Sequence, residues 1–213
     1  MELYQNKHMQ EKELFLKKIF NFLLTIIVVI PICMTGFAKE VDKDLKIKIL
    51  NEILKLQELS SNFIQTDGAT LEEGKIFIKN KRIRIDYNKP SKIRFIITKS
   101  KGMYYNIDTE EVSYFSPKEN IASIIYSLFY NKDFLIEAKF KLDENFIVIE
   151  RKILIDDQIK ILKIFFENSP LLFRKIKIED ENNFLQLTLF NIIFEPNLEK
   201  GFFSLANPLL LKN

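Results

Sequence analysis

The sequence predicts a mainly β (α+β) fold: a curled, incompletely closed antiparallel β-barrel or sheet of about eleven strands. An N-terminal helix and a mid-chain lid helix are expected to cover its apolar concave face. Three observations predict this. Short segments alternate apolar and polar residues with a period of two, which gives each strand one apolar and one wet face. Polar turn clusters separate those segments at short intervals. Only two stretches beyond the N-terminal region return to the three- and four-residue steps of an amphipathic helix. A single twisted sheet of that many strands must curl, split or close, and the two helices are the only elements available to cover it.

The chain has 213 residues, nearly half of them apolar, enough for one domain with a real core plus a targeting segment. Lys17 and Lys18 precede an uncharged run, Ile19–Ala38, that ends in Gly36-Phe37-Ala38. Positive residues, an apolar stretch and small residues at −3 and −1 form the pattern of a secretory signal, so cleavage is expected before Lys39. Residues 1–38 are then a signal peptide and 39–213 the mature β domain. The alternative is an uncleaved membrane anchor, since the run is close to the roughly 20 residues that span a bilayer. The lone cysteine, Cys33, lies in this segment and reads as a small hydrophobe, which leaves the mature domain without a disulfide.

The mature part opens with a helix, because Leu45, Ile49, Ile53, Leu56, Ser60 and Phe63 fall on one face at helical spacing. Asp42 or Asp44 is placed to cap it, and extended chain is expected around Phe63-Ile64-Gln65. From Gly74 the period is two: Ile76 and Ile78; then Ile83, Ile85 and Tyr87 across an Asn80-Lys81 turn; then Ile93, Phe95 and Ile97; then Met103, Tyr105 and Ile107; then Val112 and Tyr114. Arg82, Arg84 and Asp86 occupy the opposite parity. These five strands read as a meander. A short amphipathic helix over Glu119–Tyr130, with Pro117 ahead of it, carries Ile121, Ile124, Ile125, Leu128 and Phe129. Strands are then expected at Phe134–Leu142, Phe146–Arg151, Ile159–Phe166, Leu172–Ile178, Phe184–Ile193 and Phe202–Leu205.

Several function classes are excluded or disfavoured by composition. The single histidine, His8, lies in the presequence, so the mature domain has neither imidazole nor thiol for a Ser-His-Asp triad, a Cys-His pair or a His/Cys zinc site. Adjacent acids such as Glu72-Glu73 and Asp156-Asp157 sit in or beside turns, where solvated charge accounts for them better than a glycosidase pair. The five glycines are scattered and form no phosphate-binding loop. No enzyme, cofactor or metal is expected, and a net charge of +3 carries no nucleic-acid footprint. A curled sheet lined by Ile, Phe and Tyr and plugged by helices is instead the geometry of an apolar ligand cavity.

Three segments carry a family resemblance: Leu56, Leu59, Phe63 and Gln65; Gly74-Lys75-Ile76-Phe77-Ile78-Lys79 followed by Arg82-Ile83-Arg84-Ile85-Asp86-Tyr87 and Pro90; and Lys101-Gly102-Met103-Tyr104-Tyr105-Asn106-Ile107-Asp108. The chain from Leu56 onward resembles the periplasmic lipoprotein carriers, the LolA-like proteins, over most of residues 45–205. The resemblance implies a chaperone that takes acylated lipoproteins from an inner-membrane ABC release complex and hands them to an outer-membrane receptor. It would act as a periplasmic monomer, exported by a cleaved signal. The acyl-chain cavity would be lined by Ile76, Ile78, Ile83, Ile85, Tyr87, Ile93, Phe95, Ile97, Met103 and Tyr105, under a lid helix bearing Ile121, Ile124, Ile125, Leu128 and Phe129. The family's lid-holding arginine is replaced by Asn80, so Asn80 or Arg82 is the candidate latch. Two other readings use the same sheet: an envelope sensor or scaffold, anchored or soluble, that binds a protein or glycolipid, and the outer-membrane receptor of the same pathway. The receptor needs a lipidated cysteine, and Pro31-Ile32-Cys33 lacks the small residues that precede one.

Overall fold

The computed structural model describes residues 39–211 apart from Val41, Glu119, Asn120, Glu144 and Asp156. The expected signal segment 1–38, with its cleavage site, His8 and Cys33, lies outside the described residues. The described part is one compact unit.

Among the described residues a single antiparallel sheet of twelve strands is formed. In chain order the elements are β1 (Lys39–Glu40), α1 (Lys43–Lys55), β2 (Leu59–Thr66), β3 (Leu71–Lys79), β4 (Arg82–Lys89), β5 (Ile93–Ile97), β6 (Gly102–Asn106) and β7 (Glu111–Phe115). There follow α2 (Ile121–Tyr130), a 3₁₀ turn (Lys132–Leu135), β8 (Lys139–Asp143), β9 (Phe146–Ile155), β10 (Gln158–Asn168), β11 (Leu171–Glu179), β12 (Phe184–Phe194) and a last 3₁₀ turn (Pro208–Leu211). Their order across the sheet is β1-β8-β9-β10-β11-β12-β2-β3-β4-β5-β6-β7. Two meanders, β2–β7 and β8–β12, are thus zipped together where β12 pairs with β2, Leu189 opposite Phe63. The sheet curls but does not close, since β1 and β7 remain its two edges.

Helix α1 begins where expected: Asp42 caps it, its carboxylate accepting the Leu45 N–H at 2.7 Å. Ile49, Ile53 and Leu56 are buried against the concave face. The helix ends at Lys55, earlier than the spacing of Ser60 and Phe63 predicts, because Leu59–Thr66 is pulled into the sheet between β12 and β3. Both edges of that strand gain ladder hydrogen bonds, which outweigh a marginal helical continuation. Gly74 is the residue this arrangement requires. A Cβ there would lie 2.5 Å from the Phe63 ring and 2.3 Å from the Asp86 carbonyl oxygen.

Two expected strands are corrected. Phe134 and Leu135 belong to the 3₁₀ turn, which Asn131 caps by accepting the Asp133 N–H, and pairing starts only at Lys139. Phe202–Leu205 is not a strand. It lies in a C-terminal segment folded over the convex face of β3–β7, where Phe202 and Phe203 pack with Phe77, Ile96, Met103 and Tyr105. The arginines of β4 hold it there. Arg84 Nη1 donates to the Phe202 carbonyl at 3.0 Å with its guanidinium 4.0 Å from the Phe202 ring, and Arg82 Nη1 donates to the Phe203 carbonyl at 3.3 Å. Asp86 bridges Arg84 and Arg94 on the same face, at 2.7 and 2.8 Å. What reads in the sequence as a wet parity is therefore partly covered.

The principal core lies between the concave face and the two helices. Ile76, Ile78, Ile83, Ile147, Ile149, Leu162, Ile164 and Phe166 supply the sheet side, and Ile49, Ile53, Leu128 and Phe129 the helical side.

Candidate functional site: a roofed apolar cavity

The core is not filled everywhere. Between β4–β5 and the first half of α2 lies a cavity of about 400 Å³, within the roughly 300–1,000 Å³ of small-molecule sites. Its floor is Ile85 and Tyr87 of β4 with Phe95 and Ile97 of β5; Phe115 of β7 and Leu185 of β12 close the sides, and Gln65 of β2 stands at one end. Ile121, Ala122 and Ile125 of α2 form the roof. Ile121 and Leu185 also line a second hollow of about 340 Å³, which reaches the rim among Asp67, Lys160, Asp180 and Asn183. Lys160 and Asp180 are ion-paired at 2.8 Å on that rim, and the Lys160 ammonium with the N–H groups of Asn182 and Asn183 holds the Asp180 carboxyl down at about 2.

An aromatic chain forms the cavity wall. Tyr87 meets Phe63 edge-on at 5.1 Å and Phe95 at 6.0 Å, and Phe95 in turn meets Phe115 at 6.4 Å. Phe115 can lie flat over β6 because Gly102 has no side chain; a Cβ there would come within 2.2 Å of the ring. One polar thread enters this wall. Tyr87 Oη donates to Gln65 Oε1 at 2.9 Å, and Gln65 Nε2 donates to Glu72 Oε2 at 2.5 Å. Burial, with the Glu72 charge adding to it, pushes the Tyr87 phenol up to about 12, so it stays protonated.

Of the ten expected floor residues, Ile85, Tyr87, Phe95 and Ile97 line the cavity. Ile76, Ile78 and Ile83 share their face but are buried as packed core, and Ile93 is half-buried outside the lining. Met103 and Tyr105 are a correction. They pair with Ile96 and Arg94, point to the convex face, and are buried under the C-terminal segment instead. Among the expected roof residues, Ile121 and Ile125 line the cavity, while Ile124, Leu128 and Phe129 pack into the core.

The latch expectation is corrected as well. Asn80 and Lys81 form the two-residue β3–β4 turn, both at positive φ of 53° and 56°, and Asn80 is exposed. The Arg82 side chain reaches the C-terminal segment, not α2. The end of α2 is held by its own Tyr130, whose hydroxyl accepts the backbone N–H groups of Lys81 and Arg82 and donates weakly to the Gln57 carbonyl at 3.4 Å. Burial raises the Tyr130 phenol. Gln57 Nε2 donates to the Phe129 carbonyl at 2.9 Å, so α1 and α2 are tied end to end.

The family of the outer membrane lipoprotein carrier protein LolA matches this chain over residues 55–206, which run from the end of α1 through every strand of both meanders. The chain belongs to the LolA family. The family segment thus contains the floor, sides and roof of the cavity as well as the convex cover. Among curated proteins, it is 24% identical over 190 residues to the uncharacterized protein RP864 of Rickettsia prowazekii (strain Madrid E), covering 87% of this chain and 88% of that protein. Among solved structures, an uncharacterized conserved protein from Thermus thermophilus aligns with a TM-score of 0.48 at 9% identity, over 74% of this chain and 91% of that one. LprF from Mycobacterium bovis aligns with a TM-score of 0.37 at 9% identity, over 76% and 97%. No helix among the described residues is long and apolar enough to cross a membrane.

The cavity residues that sequence reasoning missed are Gln65, Phe115, Ala122 and Leu185. Phe115 carried a signal, the glycine at Gly102 opposite an aromatic, which marks a ring lying on the sheet. Gln65 carried one in the Phe63-Ile64-Gln65 motif itself.

Proposed function

We propose that this chain is a periplasmic carrier that shields the acyl chains of lipoproteins in the cavity between β4–β5 and α2. It receives them from an inner-membrane ABC release complex, passes them to an outer-membrane receptor, works as a monomer after loss of residues 1–38, and catalyses no reaction. The observation that carries this reading is an unfilled, apolar space of about 400 Å³ under a helix in a member of a lipoprotein-carrier family. Each CH₂ withdrawn from water is worth about 0.8 kcal/mol, so a lipid anchor cannot cross an aqueous compartment unshielded. The roof suits loading and release. The first half of α2 covers the cavity with Ile121, Ala122 and Ile125, whereas its far end is tethered through Phe129 and Tyr130. Movement of α2 about that tether would exchange covered and open states.

The test is extraction and mass spectrometry of what copurifies with the chain from envelope fractions. Acylated peptides are expected, together with a protein whose intact mass begins at Lys39. Absence of any acylated species from material that is folded and monomeric overturns the carrier reading.

A further inference from the structure

The polar thread in the cavity wall has a direction. Glu72 is a carboxylate and only accepts; Gln65 donates to it and so turns its carbonyl oxygen toward Tyr87; the Tyr87 hydroxyl donates to that oxygen. The Tyr87 hydrogen points to Gln65, and one of the two Gln65 amide hydrogens points to Glu72. Tyr87 lines the cavity, and its hydroxyl oxygen, with its hydrogen given to Gln65, keeps lone pairs and no hydrogen to offer. Polarisation along the chain by the Glu72 charge strengthens it as an acceptor. Reversing the thread would leave the Gln65 carbonyl without its donor beside apolar neighbours, which is costly in such surroundings.

An apolar cavity with one fixed acceptor on its wall selects among acylated molecules by the group that follows the chain. Esters, carboxylates and phosphates bring acceptors only and would meet Tyr87 lone pair to lone pair. A secondary amide brings an N–H. We infer that the site recognises an amide-linked acyl chain, whose N–H donates to Tyr87 Oη, in preference to an ester-linked chain of the same length. This rests on the reading of the cavity as an acyl-chain site and adds the chemistry of the linkage. Gln65 and Glu72 are positioning residues for that acceptor, and Tyr87 is the group that touches the ligand.

The experiment compares N-methyldodecanamide with methyl dodecanoate as displacers of N-phenyl-1-naphthylamine fluorescence from the full-length chain. The amide is expected to bind about five- to tenfold more tightly, the range that one net hydrogen bond supplies. Tyr87→Phe keeps the ring between Phe63 and Phe95 and should erase the preference by weakening the amide alone. Gln65→Met keeps Tyr87 but frees its hydrogen, and should tighten the ester while the amide changes little; this arm does not depend on Tyr87→Phe folding well. Equal affinities in the wild-type chain, or a preference that survives Tyr87→Phe, overturn the inference while leaving the cavity reading intact. Failure of both displacers to compete overturns both.

Discussion

Replacing Ile85 by Phe separates a cavity from a packed core, because the two predict opposite results from one substitution. Ile85 lines the cavity beside Phe95, its partner across the β4–β5 ladder. The extra ring carbons have about 400 Å³ of unfilled space ahead of them, so the cost to folding should stay below about 1 kcal/mol. Ile78 is the internal control. It is on the same face, one strand away, but fully buried and outside the cavity lining. Overpacking there should cost about 1–3 kcal/mol. At about 2–4 °C per kcal/mol for a domain of this size, Ile78→Phe should lower the melting temperature by roughly 2–12 °C and Ile85→Phe by less than roughly 4 °C. Uptake of lipoprotein from inner-membrane vesicles should follow the reverse order, with Ile85→Phe impaired through lost acyl space and Ile78→Phe near normal below its transition. Equal losses of stability in the two variants, with uptake by Ile85→Phe unchanged, would refute the argument.

Three further outcomes follow from the geometry. Gly74→Ala should destabilise by about 1–3 kcal/mol in a denaturant titration, since its Cβ would meet the Asp86 carbonyl and the Phe63 ring; an unchanged midpoint would show that β2 and β3 can part there freely. Arg84→Ala removes both the donor to the Phe202 carbonyl and the cation over its ring, so limited proteolysis should cut earlier within residues 196–211 while the sheet stays intact. Asp180 should titrate near 2 by carboxyl NMR and move up in Lys160→Ala. Because its folded value lies below the ordinary carboxylate one, its contribution to stability is present above about pH 4 and is lost as the pH falls toward 2.

Much of the fold was legible because one parity of β3, β4 and β5 is apolar throughout, Ile76/Ile78, Ile83/Ile85 and Ile93/Phe95/Ile97, while the other is mostly lysine, arginine and aspartate, with Phe77 and Ile96 the exceptions. That pattern admits one pairing face, and the register follows it, Ile76 opposite Ile85 and Ile85 opposite Phe95. The signal fails in β6 and β7, where both parities are apolar or aromatic. Met103, Tyr105 and Val112 look like the inner set, yet the inner residues are Gly102, Tyr104 and Phe115, because a cover on the convex side gives the bulkier parity a second place to be buried. Reading Phe202–Leu205 as a strand and reading Met103 inward were one error with one cause: nothing local in the sequence announces that the C-terminal segment returns to the outside of the sheet.

The site was legible as a face but not as a volume. Periodicity says that Ile76, Ile83 and Ile85 share a side. It cannot say that Ile76 and Ile83 are packed solid while Ile85 fronts an empty space, because that depends on where α2 stops descending. Its far end is drawn down by Leu128 and Phe129 into the core and fixed by Tyr130 on the β3–β4 turn. Its near end carries the smaller Ala122 over the aromatic wall and fills less. The polar thread was hidden for a related reason. Gln65, Glu72 and Tyr87 meet only because β2 and β3 pair Gln65 with Glu72 and β3 and β4 pair Gly74 with Tyr87, which brings Tyr87 to the Gln65 carbonyl. Each residue alone reads as an ordinary strand position. Their chemistry comes from a register that runs through two hairpins, and from the glycine that lets Phe63 and Tyr87 close over it.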